Sequence, residues 1–455
     1  MTDLPLNGAA GAIPDFPRPA RSILETDART RARNRAEARF RAYGLAALLV
    51  GLFFLVLLLG SILWNGMGAF MQTRMTLEVE LLESELDPEG TRDPAVLAET
   101  STFGYGDLIE AALVRTVAAT GVQTGLEAGD LDDLLSSGTA ARIRDAVIAD
   151  PSLVGQTVTF DVLPSSRVDG YIKGRVTRES LANDKNLSPE HLDIVDALVA
   201  QGTLDRGFNL SFITGADASE KRPEEAGIGV AMIGSFYMML VVLGLSLPIG
   251  VAASIYLEEF APKNRFTDLI EVNIANLAAV PSIVYGILGL AVFIQFAGLP
   301  QSAPLVGGLV LTLLTLPTII IATRASLRAV PPSIRDAALG VGASKMQAVF
   351  HHVLPLAVPG IMTGTIIGMA HALGETAPLL LIGMVGFVAS NYPGGVLDGF
   401  TSPNSAMPAQ IYEWAKRADP AFYERAWGGI IVLLVFLLVM NLMAVLVRRR
   451  FERRW

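Results

Sequence analysis

The apolar residues of this chain fall into six long runs, which are separated by polar segments of unequal length. The runs cover residues 42–64, 228–257, 270–296, 304–323, 356–387 and 428–447. Each is long enough for the roughly 20 residues that an α-helix needs to cross the hydrocarbon of a bilayer. The pattern predicts an all-α polytopic membrane protein with six transmembrane helices, five of which lie in a membrane core over residues 227–450.

Charge beside the first and last runs predicts how the chain is oriented. Residues 1–41 form a tail whose basic residues gather next to the first run, at Arg29, Arg31, Arg33, Arg35, Arg39 and Arg41. The last run also ends in arginines, and residues 451–455 form a basic tail. Because basic residues favour the cytoplasmic side, both termini are expected in the cytoplasm. A cleaved signal peptide is the alternative, but the leading tail and the apolar run are both long for one.

The polar segment at residues 65–226 predicts a separate soluble domain. It carries 13 Lys or Arg and 28 Asp or Glu, and so has a net charge of −15. Met75, Leu77, Val79 and Leu81 alternate with polar residues as in a half-buried strand, and residues 157–163 predict a second strand. Two segments predict helices, residues 107–119 and residues 189–200, the latter behind Ser188 as N-cap. We expect an acidic α+β insert outside the cytoplasm, whose function the sequence does not indicate.

Composition excludes several kinds of chemistry. Apolar residues make up 51% of the chain and charged residues 17%, below the roughly 25% of soluble domains. There is no cysteine, and hence no disulfide frame, thiolate nucleophile or cysteine zinc site. No phosphate-binding Gly-x4-Gly-Lys-Ser/Thr motif occurs, and none of the four histidines lies in a His-Glu-x-x-His frame. The chain is therefore expected to be no enzyme and to bind no cofactor itself.

The polar segment at residues 331–355 is unusually ordered for a connection between two spans. Two prolines end the preceding helix, and Ser333 with Asp336 predicts a capping box at the start of a short helix. Gly340 and Gly342 then break that helix, and residues 343–352 predict a second one. The sequence predicts a bent helix–turn–helix on the membrane surface, with glycines that allow another backbone to approach.

This segment resembles the coupling loop of ABC importer permeases. The shared motif begins with an acidic residue and two alanines. After three more residues a glycine follows, and the motif ends in Leu-Pro. The matching residues here are Asp336, Ala337, Ala338, Gly342, Leu354 and Pro355. Asp336 replaces the usual glutamate, and His352 stands where isoleucine or valine is common. The resemblance implies a type I importer permease fold and a cytoplasmic loop that couples to an ATPase subunit.

The membrane runs resemble the phosphate permease subunit of the PstA type over about residues 227–450. The residues that carry this resemblance are the Leu-Pro-Ile-Gly at 247–250, the Ile-Tyr-Leu-Glu-Glu at 255–259 and the Gly-Glu-Thr-Ala-Pro at 374–378. Many relatives have arginine where this chain has His371. The resemblance implies a PstC-like second permease, two PstB-like ATPase subunits that hold ATP and magnesium, and a PstS-like periplasmic phosphate-binding protein. Membrane lipid surrounds the spans, and no nucleic acid is expected.

Polar residues and prolines within the runs suggest a transport path. Prolines interrupt four of the later runs, at Pro248, Pro281, Pro317 and Pro378. Each removes a backbone donor, which is tolerated at membrane depth against protein or a water-filled path; simple kinking for packing is the alternative. Path candidates are Glu375, His371, Thr376, Ser282, Asn276 and Arg324.

Glu375 is the most informative of these residues. A carboxylate that faces lipid costs about 3 kcal/mol or more, so it should face protein or a pore. His371 precedes it by four residues and can pair with it on one helix face; a purely structural pair is the alternative. Phosphate keeps one or two protons near neutral pH, and a carboxylate can accept a hydrogen bond from them, whereas sulfate keeps none. Glu375 is therefore a candidate for selecting phosphate.

These observations favour a permease subunit of an ATP-driven inorganic phosphate importer, in the bacterial inner membrane. An importer permease for another oxyanion, such as sulfate, molybdate or phosphonate, is the nearest alternative. A transmembrane sensor would need a cytoplasmic signalling module after the second span, and the sequence has none there. An intramembrane enzyme would need a catalytic pair beside Ser282 or Glu375, and no spacing supports one.

Overall fold

The computed structural model describes residues 28–183, 187–384 and 392–451. The chain divides into two units, residues 1–61 and residues 62–455. Helix α1, Ala28–Gly66, supplies the described part of the first unit and ends in the second. It contains both the arginine-rich stretch and the first apolar run, so the basic residues before the membrane are helical. The first 27 residues of the predicted tail lie outside the described residues.

The insert contains three strands and several short helices. The strands are β1 (Met71–Glu80), β2 (Thr157–Val162) and β3 (Leu204–Phe208). The helices are α2 (Glu83–Leu86), α3 (Pro94–Glu99), α4 (Thr102–Thr120), α5 (Thr139–Ala149), α6 (Ser166–Ile172), α7 (Pro189–Ala200) and α8 (Leu210–Thr214). This is the predicted α+β composition.

The sheet of the insert is antiparallel, in the order β2-β1-β3. In β1 the side chains of Met75, Leu77 and Val79 are buried, and the residues between them are exposed. Met75 lies opposite Val162 of β2 and Leu204 of β3. The alternation that predicted β1 therefore reflects one face packed on the helices. Strand β3 was not predicted, because its five residues do not alternate between apolar and polar.

Helix boundaries in the insert follow local capping chemistry. The side chain of Ser101 caps α4, and Gly121 ends it with a φ of +73°, a conformation that favours glycine. The predicted helix at 107–119 lies within α4. At α7 the prediction of Ser188 as N-cap is confirmed, and His191 completes a capping box with it.

Helices α9 to α19 follow the insert along the chain, and together with α1 they contain the membrane spans. These are α9 (Gly229–Ile255), α10 (Arg265–Leu277), α11 (Ser282–Leu288), α12 (Pro304–Arg328), α13 (Pro332–Gly340), α14 (Lys345–Ala348), α15 (Leu354–Gly374), α16 (Ala377–Leu381), α17 (Asp398–Thr401), α18 (Met407–Lys416) and α19 (Pro420–Phe451). A π-helical turn follows α9, α11 and α14. Within the described residues, five helices are long and apolar enough to span a membrane, and one bent pair of helices adds a sixth if the pair is counted as one span. The predicted fold class is thereby confirmed.

Two spans are broken close to Pro281 and Pro378, as the interrupted runs suggested. At Pro248 and Pro317, by contrast, the helix continues through the proline. The third span is a pair, α10 and α11, bent by 104° at the break before Ser282, where Pro281 cannot continue the helix. The fifth helix ends at Gly374, and Glu375 has extended backbone angles. The prediction of one span over residues 356–387 was therefore wrong, and residues 385–391 lie outside the described residues.

The ends of the polar segment at residues 331–355 also differ from expectation. The capping box of Ser333 with Asp336 was wrong: Pro331 is the N-cap of α13, because Pro332 begins the helix before Ser333. The capping box in this segment joins Ser344 and Gln347, at the start of α14. From there the helix continues through Pro355 as one span, Lys345–Gly374, and a π-helical turn at Val349–Val353 lies just before the proline.

Small residues let α12 and α15 pack closely. Gly360, Gly364 and Gly368 repeat at every fourth position on α15. A Cβ on Gly364 would stand 2.2 Å from Cβ of Ala322 on α12, and one on Gly360 would stand 2.3 Å from Oγ of Ser326. The glycine repeat thus fixes the separation of the two helices that flank the polar segment.

Candidate functional site

The coupling segment, residues 331–355, presents a mostly exposed surface. Asp336 and Ala337 are exposed, and Ala338 turns inward with 6% exposure. Gly342 is exposed, its φ is +90°, and nothing lies within 4 Å of where its Cβ would be. Its own backbone therefore requires glycine, whatever approaches from outside. Leu354 and Pro355 are half-buried at the start of α15.

Glu375 and His371 form the pair that their spacing predicted. Nε2 of His371 lies 3.0 Å from Oε1 of Glu375, and the side chains are 56% and 20% exposed, respectively. Because α15 ends at Gly374, Glu375 occupies the break between two helices, and among the described residues no side chain binds its second carboxylate oxygen. Such a carboxylate can accept a hydrogen bond from a protonated anion or from a neutral donor.

Helix α11 closes one side of this break. A Cβ on Gly286 would lie 2.7 Å from Cα of Pro378, so α11 packs directly on α16. Ser282, half-buried, begins α11, and Thr376, half-buried, precedes α16. The structure thus places Ser282 and Thr376 on helices that pack against each other. Asn276 lies in the exposed last turn of α10, before the bend.

Arg324 lies apart from Glu375. Its guanidinium donates to Glu271 and, at 3.4 Å, to Glu258. Ala322 faces Gly364, and His371 lies seven residues beyond Gly364, about 10 Å along the helix axis. Because Arg324 lies beyond Ala322 in the opposite direction, the structure does not bring it to the Glu375 pair.

The structure also contains a charged cluster that the sequence reasoning missed, here called the junction cluster: Asp169, Lys173, Arg175 and Glu424. Nζ of Lys173 lies 2.7 Å from Asp169 and 2.8 Å from Glu424, and all three side chains are at most 5% exposed. Arg175 binds both acids as well. The cluster joins the insert to α19. The acid Glu424 beside Arg425, just before an apolar run, was the available signal.

Arg425 and Thr73 complete the bonding around the junction cluster. Arg425 is 2% exposed and donates to the carbonyls of Ala69, Pro223 and Glu224. Burial alone would raise the pKa of Asp169, but Lys173 and the hydrogen bonds of Thr73 hold this pKa below its ordinary value. Nearby, burial raises the pKa of Glu224 to about 7, against the hydrogen bond that it accepts from Ser136 at 2.5 Å.

The apolar spans and the exposed polar segment between two of them define a polytopic membrane protein. The family described as "Binding-protein-dependent transport system inner membrane component" matches residues 246–455, and the chain belongs to this family. Residues 27–182 match a domain of unknown function, DUF3333. The chain is thus a multi-pass membrane component of a transport system that includes a binding protein, and is not itself an enzyme.

Curated relatives align with about half of the chain. The probable ABC transporter permease protein YqgI of Bacillus subtilis is 32% identical over 226 residues, which are 48% of this chain and 76% of that protein. The phosphate transport system permease protein PstA 1 of Mycobacterium tuberculosis (strain H37Rv) is 32% identical over 51% of this chain and 73% of its own length. The phosphate transport system permease protein PstA of Yersinia pestis is 29% identical over 49% of this chain and 73% of its own length.

Solved transporters align with similar parts of the chain. A structure of the MetNI methionine ABC transporter aligns with a TM-score of 0.36 and 15% identity, over 50% of this chain and 95% of that one. A second structure is a bacterial alginate ABC transporter in complex with a periplasmic protein bound to an alginate pentasaccharide. It aligns with a TM-score of 0.38 and 16% identity, over 48% of this chain and 77% of that one.

Proposed function

We propose that this chain is a transmembrane permease subunit of an ATP-driven inorganic phosphate importer and forms half of its translocation path. The observation that carries the proposal is the similarity to a phosphate transport permease, at 32% identity over 51% of this chain. The family match over residues 246–455 includes the coupling segment and Glu375. In this proposal a PstC-like permease supplies the other half. Two PstB-like subunits bind ATP and magnesium, and a PstS-like protein delivers phosphate.

The proposed orientation follows from the coupling segment. It lies between the fourth and fifth spans and must face the ATPase subunits in the cytoplasm. With the bent pair α10 and α11 counted as one span, three spans separate the insert from that side, so the insert is outside and both termini are inside. Labelling tests this. Ser137 of the insert is exposed and the chain has no cysteine, so Ser137→Cys should react with an impermeant thiol reagent added outside. Reaction from the cytoplasmic side alone would contradict the orientation.

Glu375 is proposed to recognise the proton that phosphate retains. Its carboxylate lies at a break between two helices, where backbone and side chains can line a path. A fully deprotonated oxyanion such as sulfate offers it no donor and is repelled by its charge. His371 lies within 3.0 Å and adds a positive charge when it is protonated, which partly offsets the repulsion that the acid exerts on any anion.

Docking of an ATPase subunit on the coupling segment can be tested without disturbing its fold. Gly342 is unsuitable, because its positive φ makes any other residue strained there. Ala337 is exposed on α13, so Ala337→Trp should leave the chain folded and obstruct docking. We expect fewer co-purifying ATPase subunits, or normal assembly with uptake much reduced. Normal assembly and normal uptake would contradict this docking surface.

The direct test of the function uses the purified complex in vesicles, with the binding protein added. ATP-dependent uptake of phosphate, and weak uptake of sulfate and molybdate, is the expected outcome. Preferred uptake of sulfate, molybdate or phosphonate would instead establish the alternative oxyanion permease. Absence of ATP-dependent uptake of any of these anions, in a complex that hydrolyses ATP, would contradict the proposal.

A further inference from the structure

Arg335 connects the short helix α13 to the ends of two membrane-spanning helices. Its Nη2 and Nε donate to Oε1 of Glu259, over 2.7 and 3.1 Å. Nη1 and Nη2 also donate to the carbonyls of Val330 and Leu327, each over 2.8 Å. Glu259 follows α9, and the two carbonyls belong to the last turn of α12 and the residues after it. One side chain of the coupling segment therefore joins three elements.

The chemistry of this contact suits a rigid connection. Glu259 is only 7% exposed, so its charge depends on the guanidinium for compensation. Carbonyls at the end of a helix lack partners within it, and a positive charge there is favourable. Arginine's planar fork can bind a carboxylate and neighbouring carbonyls at once, whereas a lysine ammonium is a single point. The contact thus demands arginine as well as a positive charge.

The neighbouring acid Glu258 makes a different connection. It binds Arg328 at 2.8 Å and Arg324 at 3.4 Å, and both arginines belong to α12. The salt bridges of Glu258 therefore connect the end of α9 to α12, whereas the salt bridge of Glu259 connects it to α13. Helix α13 has few other anchors: among its nine residues only Ala338 is buried, and Ile334 is half-buried.

We infer that Arg335 is the positioning residue that makes α13 move together with the cytoplasmic ends of α9 and α12. The inference rests on the proposed function, in which an ATPase subunit docked on the coupling segment supplies the motion. A displacement of α13 pulls on Glu259, Leu327 and Val330 through four hydrogen bonds. Without the guanidinium, α13 can shift while the two spans stay in place.

The first test compares two arginine variants in the assembled complex in vesicles. For Arg335→Ala we expect ATP hydrolysis per complex within about twofold of wild type, and phosphate imported per ATP at least about fivefold lower. The matched control is Arg328→Ala, which removes a nearby arginine of α12 that binds Glu258 and not α13; its import per ATP should stay at the wild-type value. An unchanged ratio in Arg335→Ala, or an equal loss in both variants, overturns the inference.

Arg335→Lys separates positioning from charge. Lysine keeps the charge but cannot satisfy the carboxylate and both carbonyls together, so import per ATP should fall in this variant also. Full coupling in Arg335→Lys would show that charge alone suffices and would overturn the positioning role. If Arg335→Ala fails to assemble, the lysine variant replaces it in the first test under the same criterion.

A distance measurement tests the inference without any substrate. The chain has no cysteine, so spin labels can be placed through cysteines at the exposed positions Val341, just after α13, and Lys263, just after α9. Between the nucleotide-free and ATP-bound complex, the distance distribution should stay narrow and unchanged in wild type and in Arg328→Ala. It should broaden or shift in Arg335→Ala. The same narrow distribution in all three contradicts the inference, whereas absent phosphate uptake by wild type contradicts only the proposed function.

Discussion

Two groups of charged side chains in this chain differ in burial and in how fully they are bonded. In the junction cluster, Lys173 and Glu424 are at most 5% exposed and bind each other and further charged partners. In the second group, the pair of His371 and Glu375, His371 is 56% exposed on the membrane-spanning helix α15, and Glu375, which follows this helix, is 20% exposed. The first group satisfies its charges within the chain. The second presents charge to whatever covers that surface, as a transport path or a second subunit would.

We propose that this difference separates a structural role, for the junction cluster, from a role in transport, for His371 and Glu375. A buried cluster with all its charges paired contributes to the fold, and its removal leaves uncompensated charge. An ionisable pair at an exposed break between helices retains capacity for a ligand. This distinction would fail if substitutions in the junction cluster changed the selectivity of transport. It would also fail if substitutions of His371 or Glu375 changed only the amount of folded protein.

The largest effect is expected at the junction cluster. Lys173→Met removes the cation between Asp169 and Glu424, and breaking such a buried pair typically costs about 3–5 kcal/mol. We expect the insert to be released or the chain to be depleted from the membrane, as read by limited proteolysis and by the thermal midpoint. The matched control is Arg178→Ala, which removes an arginine of the insert whose acidic partners are exposed; it should behave as wild type.

A second expectation concerns pH and Glu224. Because burial raises its pKa from 4.5 to about 7, the folded state binds more protons than the unfolded state within that window. The contribution of Glu224 to stability should therefore be most favourable below about pH 4.5 and decline by about 3 kcal/mol as the pH rises to about 7. Glu224→Gln keeps an acceptor for Ser136 and should flatten that part of the pH profile of the thermal midpoint.

The control for this expectation is the neighbouring acid. Glu225 pairs with Arg142 and Arg222, and its charge raises the pKa of Glu224 less than burial does, so Glu225→Gln should keep most of the decline between pH 4.5 and about 7. If Glu224→Gln retains the full decline, Glu224 is not its origin.

A smaller effect is expected from His371→Arg. Histidine changes its charge between about pH 5 and 8, whereas arginine remains charged. Phosphate uptake per complex should therefore lose part of its pH dependence in that range, with assembly unchanged. An identical pH profile in the variant would show that the charge of His371 does not influence transport.

The sequence predicted those features that depend on long or local patterns. The spans followed from apolar runs, β1 from alternation at Met75 to Leu81, and the cap of α7 from Ser188 and Pro189. The pair of His371 and Glu375 followed from a spacing of four residues. In each case the residues that interact are neighbours along the chain, or share one simple period.

Other features depend on contacts between residues that are distant in sequence or on small local differences. Lys173 and Glu424 are 251 positions apart, so no spacing links them. The end of α15 at Gly374 falls inside an apolar run, where hydropathy gives no boundary. The connection of Arg335 to Glu259 requires α9 to pack beside the coupling segment, which the linear pattern does not reveal.

The central claim is that Glu375 lies on a phosphate path and takes part in selecting the anion. It is tested most directly by phosphate and sulfate uptake per assembled complex, in vesicles with wild type and Glu375→Gln. The amide keeps the shape of the side chain but loses the charge that accepts phosphate's proton, so phosphate uptake should fall roughly tenfold and the preference over sulfate should narrow. Reduced abundance of the complex with an unchanged preference would instead make Glu375 a structural residue and contradict the account.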